Sequence, residues 1–173
     1  MWLSELGVLA KARLAALLLA LPLAGCFQPL YGEAVHPGLT ADLRAIAIAP
    51  IKDRIGHYLG EDLAAELNGT GETVEPKYRL TVTVTIASGT PTVTSQQQIA
   101  NAATVTAYAN FTITPAGGGT AMMTGSAVTS AVYDRTEDRF ANLRAQRDTE
   151  IRLAKSLAHE ISLRLAALLS EKK

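Results

Sequence analysis

Residues 80–133 form a stretch of 54 positions without an aspartate, glutamate, lysine or arginine. In and around it, apolar residues alternate with threonine and other small polar residues over 78–87 and again over 103–114. A period of two gives a β-strand one buried face and one outer face. Outer faces of solvated sheets usually carry charges, which keep the sheet soluble and discourage edge-to-edge pairing. The sequence therefore predicts a sheet that is uncharged on both faces.

Two explanations of the uncharged outer face are open at the level of the sequence. Secreted β-proteins often favour threonine and serine on their strands. Alternatively, a partner covers this face in a confined space, where an unpaired charge would cost several kcal/mol. Thr83, Thr85, Thr106 and Thr112 are predicted to point outward, and they distinguish the two explanations because a free face would tolerate a charge at each position.

The rest of the chain predicts helices and strands in an order typical of an α+β fold. Leu59, Leu63 and Leu67 recur every four residues and predict one apolar face of a helix. No glycine or proline interrupts residues 142–170, which predict a long C-terminal helix. In chain order, the predicted elements are a strand over 44–49, a helix over 58–68, strands over 78–87, 103–114 and 121–133, and a helix over 142–170.

This order predicts a two-layer sandwich, in which a mostly antiparallel four-stranded sheet carries two helices, one of them long and C-terminal, on one face. Gly125 is expected to mark a β-bulge in the last strand. Residues 33–43 are expected to be an irregular arm, and Glu150 and Glu160 are expected to be solvated. The predicted apolar face of the long helix comprises Leu143, Ile151, Ala154, Leu157, Ala158, Ile161, Leu165 and Leu168.

The N-terminus resembles a bacterial lipoprotein signal. Lys11 and Arg13 precede a short apolar run over 14–21, and the run ends in Leu23, Ala24, Gly25 and Cys26. Such a motif predicts cleavage before Cys26, whose thiol is then acylated. The alternatives are an ordinary cleavable signal followed by an incidental cysteine, or a membrane span, for which the apolar run is too short. The expected organisation is a signal peptide over 1–25, a lipidated arm over 26–43 and a single α/β domain over 44–173.

Composition argues against several classes of function. The 148 residues after the signal contain 14 basic and 15 acidic side chains, so no basic field attracts nucleic acid. A single cysteine excludes a disulfide framework. His36, His57 and His159 lack the spacing of metal ligands, and the glycines at 117–119 join two strands rather than opening a phosphate-binding helix. We therefore expect no catalytic residue, no metal and no cofactor.

Three segments resemble the LPS-assembly lipoprotein family (LptE) in its alphaproteobacterial form. They are residues 26–32 (CFQPLYG), residues 48–56 (IAPIKDRIG), and Tyr133 followed by residues 138–142 (DRFAN), Asp148 and the long helix. With the matching element order, the resemblance covers nearly all of the mature chain. Phe27 stands where members usually have glycine. Because it is not aspartate, it predicts delivery to the outer membrane.

The resemblance implies a non-enzymatic role. Such lipoproteins sit as a plug inside the β-barrel LPS translocon (LptD), help it to assemble and assist delivery of lipopolysaccharide to the outer leaflet. Basic residues bind the lipid in family members, but no motif transfers those positions to this chain. Lys52, Arg54, Lys77 and Arg79 are candidates by charge and by position near strand ends. The alternative is a free periplasm-facing lipoprotein that binds an apolar ligand or has a structural role in the envelope.

Overall fold

The sheet and its helices follow the predicted order. The computed structural model describes residues 37–89 and 102–171, and the described residues from 38 onward belong to one compact unit. Its elements are α1 (Leu39–Arg44), β1 (Ile46–Ile48), α2 (Asp53–Leu67), β2 (Tyr78–Gly89), β3 (Ala102–Pro115), β4 (Met123–Asp134) and α3 (Arg139–Glu171). The strands lie in the order β1-β2-β3-β4, with β1 parallel to β2 and the other pairs antiparallel. The predicted α+β class is confirmed.

Alternation places the sheet's apolar residues on one face. Leu80, Val82 and Val84 of β2 are buried, and they pair in register with Ile113, Phe111 and Ala109 of β3. The predicted bulge at Gly125 is absent, since β3 and β4 pair without interruption from Ala102 to Ile113. A Cβ atom at Gly125 would lie 2.6 Å from Cζ of Phe111. The glycine therefore makes room for the phenyl ring opposite it.

Two helical segments extend beyond the prediction. α2 begins at Asp53 rather than at residue 58. The sequence does not predict this earlier start, because Gly56 and Gly60 interrupt the apolar spacing that marks a helix. Gly56 packs so closely that a Cβ there would lie 2.7 Å from Cγ2 of Ile51. α1 occupies part of the segment predicted to be irregular, and Leu39 anchors it in the core with 2% of its surface exposed.

The long helix α3 buries most of the face predicted for it, although the first turns of that face are exposed. Thr149, Leu153, Leu157, Ile161 and Leu165 are buried. Leu157, Ile161 and Leu165 confirm the prediction, as do Ala154 and Ala158, which are also buried. Leu143 and Ile151 are 52% and 41% exposed, so their predicted burial is wrong. Leu143 lies at helical spacing from the core residues but precedes Thr149, the first buried residue of α3, so this part of the helix extends beyond the core.

Glu150 is 3% exposed, so the prediction that it is solvated is also wrong. Glu160 is half-buried and pairs with Arg164 one turn later. Within residues 37–89 and 102–171, no helix combines the length and hydropathy needed to cross a bilayer.

Candidate functional site

The face of the sheet turned away from the core carries no charge between its two ends, and we call it the outer face. Arg79 stands at one end, on β2, and Asp134 stands at the other, on β4. Between them the outer face is built from uncharged polar, small and apolar side chains. Water can therefore be removed from this face without leaving a charged group unpaired. Its residues are Thr81, Thr83, Thr85, Ala87, Thr104, Thr106, Tyr108, Asn110, Thr112, Thr114, Thr124, Ser126, Val128, Ser130 and Val132.

The middle of the outer face is apolar. Tyr108 of β3 pairs with Val128 of β4, and the two are 44% and 53% exposed. Val132 lies further along β4 and is 54% exposed. Aromatic and β-branched neighbours of this kind offer contact area to a partner, and the threonines around them supply hydroxyl groups for hydrogen bonds.

The four threonines singled out in the sequence all lie on the outer face. Thr83 and Thr85 are exposed, whereas Thr106 and Thr112 are half-buried by their neighbours in the sheet. Thr112 Oγ1 lies 3.4 Å from Thr124 Oγ1 across the β3–β4 pair. The hydroxyl groups of the outer face can therefore satisfy one another as well as water.

One edge of the sheet is also open. β4 pairs with β3 on one side, and no described strand lies on its other side. Arg164 of α3 donates a hydrogen bond to the carbonyl oxygen of Ser126. Because strand residues alternate in direction, Val128, Ser130 and Val132 also turn their main-chain N–H and C=O groups to this edge. Residues 123–133 of β4 themselves include no charged residue and no proline, which would hinder pairing at an edge. Beyond the contact with Arg164, this edge is therefore able to pair with another strand.

Two of the four basic candidates are held in ion pairs. Arg54 of α2 donates from Nε to Oε2 of Glu150 over 2.9 Å and from a terminal nitrogen to Oε1 over 2.9 Å. Lys77 Nζ lies 2.9 Å from Oδ1 of Asp42, and this hydrogen bond raises the pKa of the lysine ammonium group above its ordinary value. Both side chains therefore have a structural role.

Lys52 and Arg79 are the two remaining candidates. The side chain of neither residue makes a hydrogen bond or an ion pair with another residue in the described part of the chain. Lys52 precedes α2, whereas Arg79 lies on the outer face. The candidates thus belong to different elements, and the structure does not gather the four into one lipid-binding site.

Sequence reasoning missed the buried carboxylate of Glu150. Its partner Arg54 precedes it by 96 residues, so no local spacing links them. Gln146 donates a further hydrogen bond of 3.2 Å to Oε1 of Glu150. The pair ties the start of α2 to α3 and belongs to the scaffold behind the sheet.

An apolar groove lies between β1 and α2. Its volume is about 430 Å³, and Ile48, Pro50, Ile51 and the glycines of α2 line it. His57 and Glu61 stand at its rim with Nε2 and Oε1 3.3 Å apart. Among the described residues, no cluster of three or more histidine, cysteine or acidic side chains is placed to hold a metal. Cys26, the predicted lipidation site, lies outside the described residues.

Comparisons with known proteins give structural likenesses alone, since no protein-family model and no curated protein matches the chain. A Caulobacter crescentus CB15 protein described as a candidate lipoprotein has 24% identity over 80% of this chain and 98% of its own, with a TM-score of 0.64. The minor lipoprotein of Acinetobacter baumannii has 13% identity over 72% of this chain and 92% of its own, with a TM-score of 0.57.

A third structure, rare lipoprotein B from Shewanella oneidensis, has 11% identity over 73% of this chain and 94% of its own. Its TM-score of 0.45 is too low to support an argument. The first two likenesses show that this chain has the fold of those two proteins, which are both described as bacterial lipoproteins.

Proposed function

We propose that this protein is an outer-membrane lipoprotein, anchored on the periplasmic side through Cys26, that acts as the plug and assembly partner of the β-barrel LPS translocon (LptD-type). In this role it assists delivery of lipopolysaccharide to the outer leaflet and catalyses no reaction. The signal motif and the resemblance of three segments to LptE support the proposal. So does a fold shared with proteins described as bacterial lipoproteins.

The uncharged outer face is the observation that carries this proposal. Charges are plentiful on α3, where Arg139, Arg144, Arg147 and Arg152 are all exposed, yet none occurs between Arg79 and Asp134 on the sheet. A barrel wall close to the sheet would remove water from this face, and an ion left there without a partner would cost several kcal/mol. A sheet that faced only solvent would have no such constraint.

Co-purification with charge variants tests the proposal. The protein extracted in detergent should be recovered in a stoichiometric complex with a barrel of far greater mass. Thr83→Glu and Thr106→Lys should each reduce recovery of the barrel strongly, because each places an unpaired charge against its wall. Ala65→Glu is the matched control, since Ala65 is exposed on α2, away from the sheet.

Two results would contradict the proposal. Full recovery of the barrel with both threonine variants would remove the outer face from the interface. Recovery of the wild-type protein without any barrel would remove the plug function itself. Circular dichroism of each variant establishes that the domain is folded before recovery is compared.

The groove between β1 and α2 favours a second candidate function. Its apolar lining suits an acyl or other apolar ligand, as a free periplasm-facing lipoprotein would need. Binding of a fluorescent fatty acid would test this function. Gly60→Leu should abolish the binding, because Gly60 lines the groove and its nearest neighbour, Cδ1 of Ile51, would lie 3.9 Å from an added Cβ. Unchanged binding in this variant would exclude the groove.

A further inference from the structure

The start of α3 exposes apolar and basic side chains on one face. Phe140, Leu143 and Ile151 are 78%, 52% and 41% exposed, and Arg144 and Arg147 are exposed between them. At 3.6 residues per turn, these five positions fall within an arc of about 100°. We call them the arginine stripe. No residue from 139 to 148 is buried, so the core does not account for these side chains.

The helix start is fixed by hydrogen bonds, so the exposed phenyl ring of the arginine stripe stands on an ordered turn. The amide nitrogen of Phe140 donates to Oδ1 of Asp138 over 2.7 Å. Asn142 exchanges two hydrogen bonds with the main chain of Thr136, of 2.8 and 2.7 Å. These hydrogen bonds satisfy polar groups at the start of α3 that would otherwise lack a partner, and they keep the first turn of the helix from fraying.

The arginine stripe carries positive charge that the neighbouring carboxylates do not neutralise. The side chains of Arg144 and Arg147 make no hydrogen bond or ion pair with any described residue. Asp148 lies at the flank of the stripe, and its Oδ2 accepts a hydrogen bond of 3.0 Å from Nε of Arg152. Glu150 is buried and bound by an arginine of α2. The two stripe arginines are therefore available to an anionic partner.

We infer that the arginine stripe docks on a membrane surface that carries anionic phospholipid headgroups. The phenyl ring and the two aliphatic side chains would enter the boundary between headgroups and acyl chains, where exposed apolar groups of amphipathic helices are stabilised. Arg144 and Arg147 have long stems that can lie along this apolar surface while their guanidinium groups bind phosphates. In a protein interface, charged residues usually surround an apolar core as a rim. In the arginine stripe they lie between the apolar residues, an arrangement that suits a lipid surface better than a dry protein contact.

This inference rests on one part of the proposed function, the lipid anchor at Cys26, which would keep the domain close to the bilayer. A tethered domain needs little intrinsic affinity, because the anchor raises the effective concentration of the stripe at the surface. The inference does not depend on the barrel. Lipidation is measured separately, from the mass of the processed protein, so a failure of the anchor and a failure of the docking give different results.

A single tryptophan probe can test the docking. The only tryptophan of the chain is Trp2, which would be removed with the proposed signal peptide, so the processed protein carrying Phe140→Trp contains a single tryptophan. The processed, lipidated protein is reconstituted in phosphatidylcholine vesicles with or without phosphatidylglycerol. Brominated phospholipid quenches tryptophan only at membrane depth. Tyr108→Trp on the outer face is the matched control, because Tyr108 is also exposed but lies on the sheet.

We expect brominated lipid to quench the Phe140→Trp probe, but not the Tyr108→Trp probe, in vesicles that contain phosphatidylglycerol. Adding Arg144→Gln or Arg147→Gln should lower the docked-to-undocked ratio by roughly fivefold each, the effect of about 1 kcal/mol per basic residue at an anionic surface. Equal quenching of the two probes would overturn the inference. So would quenching that persists without phosphatidylglycerol and without both arginines. Protection of the Phe140→Trp probe by a co-purified protein, with no quenching by lipid, would assign the stripe to a protein contact and also overturn it.

Discussion

Removing Arg54 should destabilise the domain more than neutralising its partner Glu150. The side chain of Glu150 is 4% exposed, whereas that of Arg54 is 51% exposed. Arg54→Met would leave a buried carboxylate with only the hydrogen bond from Gln146. Glu150→Gln would leave a guanidinium group that water still reaches. The two halves of one ion pair therefore have unequal consequences.

The magnitudes follow from these exposures. Breaking a buried ion pair from one side costs about 3–5 kcal/mol. Because half of the Arg54 side chain is in solvent, which screens the pair, we place Arg54→Met at about 2–3 kcal/mol. Glu150→Gln keeps the shape of the side chain and loses a charge-assisted hydrogen bond, so about 1–1.5 kcal/mol is expected. The double variant Arg54→Met/Glu150→Met should lie within about 1 kcal/mol of wild type, since no buried charge remains.

Thermal unfolding of the four proteins measures this order. For a domain of this size, 1 kcal/mol corresponds to about 3–5 °C in Tm. Asp148→Asn is the control, because the Arg152–Asp148 pair is exposed on both sides and should be worth at most about 0.5 kcal/mol. Equal losses for Arg54→Met and Glu150→Gln would refute the reasoning. A double variant less stable than either single variant would refute it as well.

Three other predictions concern packing and charge. Leu157→Ala should cost about 2–5 kcal/mol in chemical denaturation, because the leucine is fully buried, whereas exposed Lys155→Ala should cost under about 0.5 kcal/mol. Gly125→Ala should lower Tm, because the new methyl group overlaps a phenyl ring, whereas Gly89→Ala meets nothing within 4 Å and should leave it unchanged. Burial raises the pKa of the Asp62 carboxyl group, so the folded state binds the proton of this group more tightly than the unfolded state does. The free energy of unfolding therefore falls as the pH rises through the range in which the carboxyl group loses its proton. Asp62→Asn should therefore raise Tm slightly at pH 7 and not at pH 3, and a lower Tm at pH 7 would contradict the assignment.

The sheet could be predicted from sequence because its signal is local. Strict alternation from Leu80 to Val84 gives β2 and its buried face without knowledge of any partner, and the pairing with β3 keeps the apolar faces of the two strands together. The outer face was found in the same way, as the absence of charge over the opposite positions. Whether a partner covers that face depends on a surface outside this chain, so the sequence leaves two explanations for it.

The errors arose where the decisive contact is distant or the residue type is misleading. Glu150 is buried because an arginine of α2 reaches it, and no spacing within α3 contains that information. Leu143 is apolar and lies at helical spacing from the core residues, yet the core begins only at Thr149. The sequence does not predict the start of α2 because Gly56 is a weak helix former. The structure needs a glycine at this position, since the close contact with Ile51 leaves no room for a side chain.

The open edge of β4 has a consequence for how much of this protein a cell can hold. A main-chain ladder forms with almost any extended segment, so Val128, Ser130 and Val132 accept a strand with little regard to its sequence. Because the sequence of the added strand matters little, the relative amounts of the proteins present decide which strand pairs with β4. A copy of this protein avoids pairing with another copy only while its edge is occupied or other copies are scarce. Synthesis in excess of any partner that covered this edge would leave surplus copies to associate with one another. For such a partner, the three open main-chain positions of β4 would require balanced production of the two proteins.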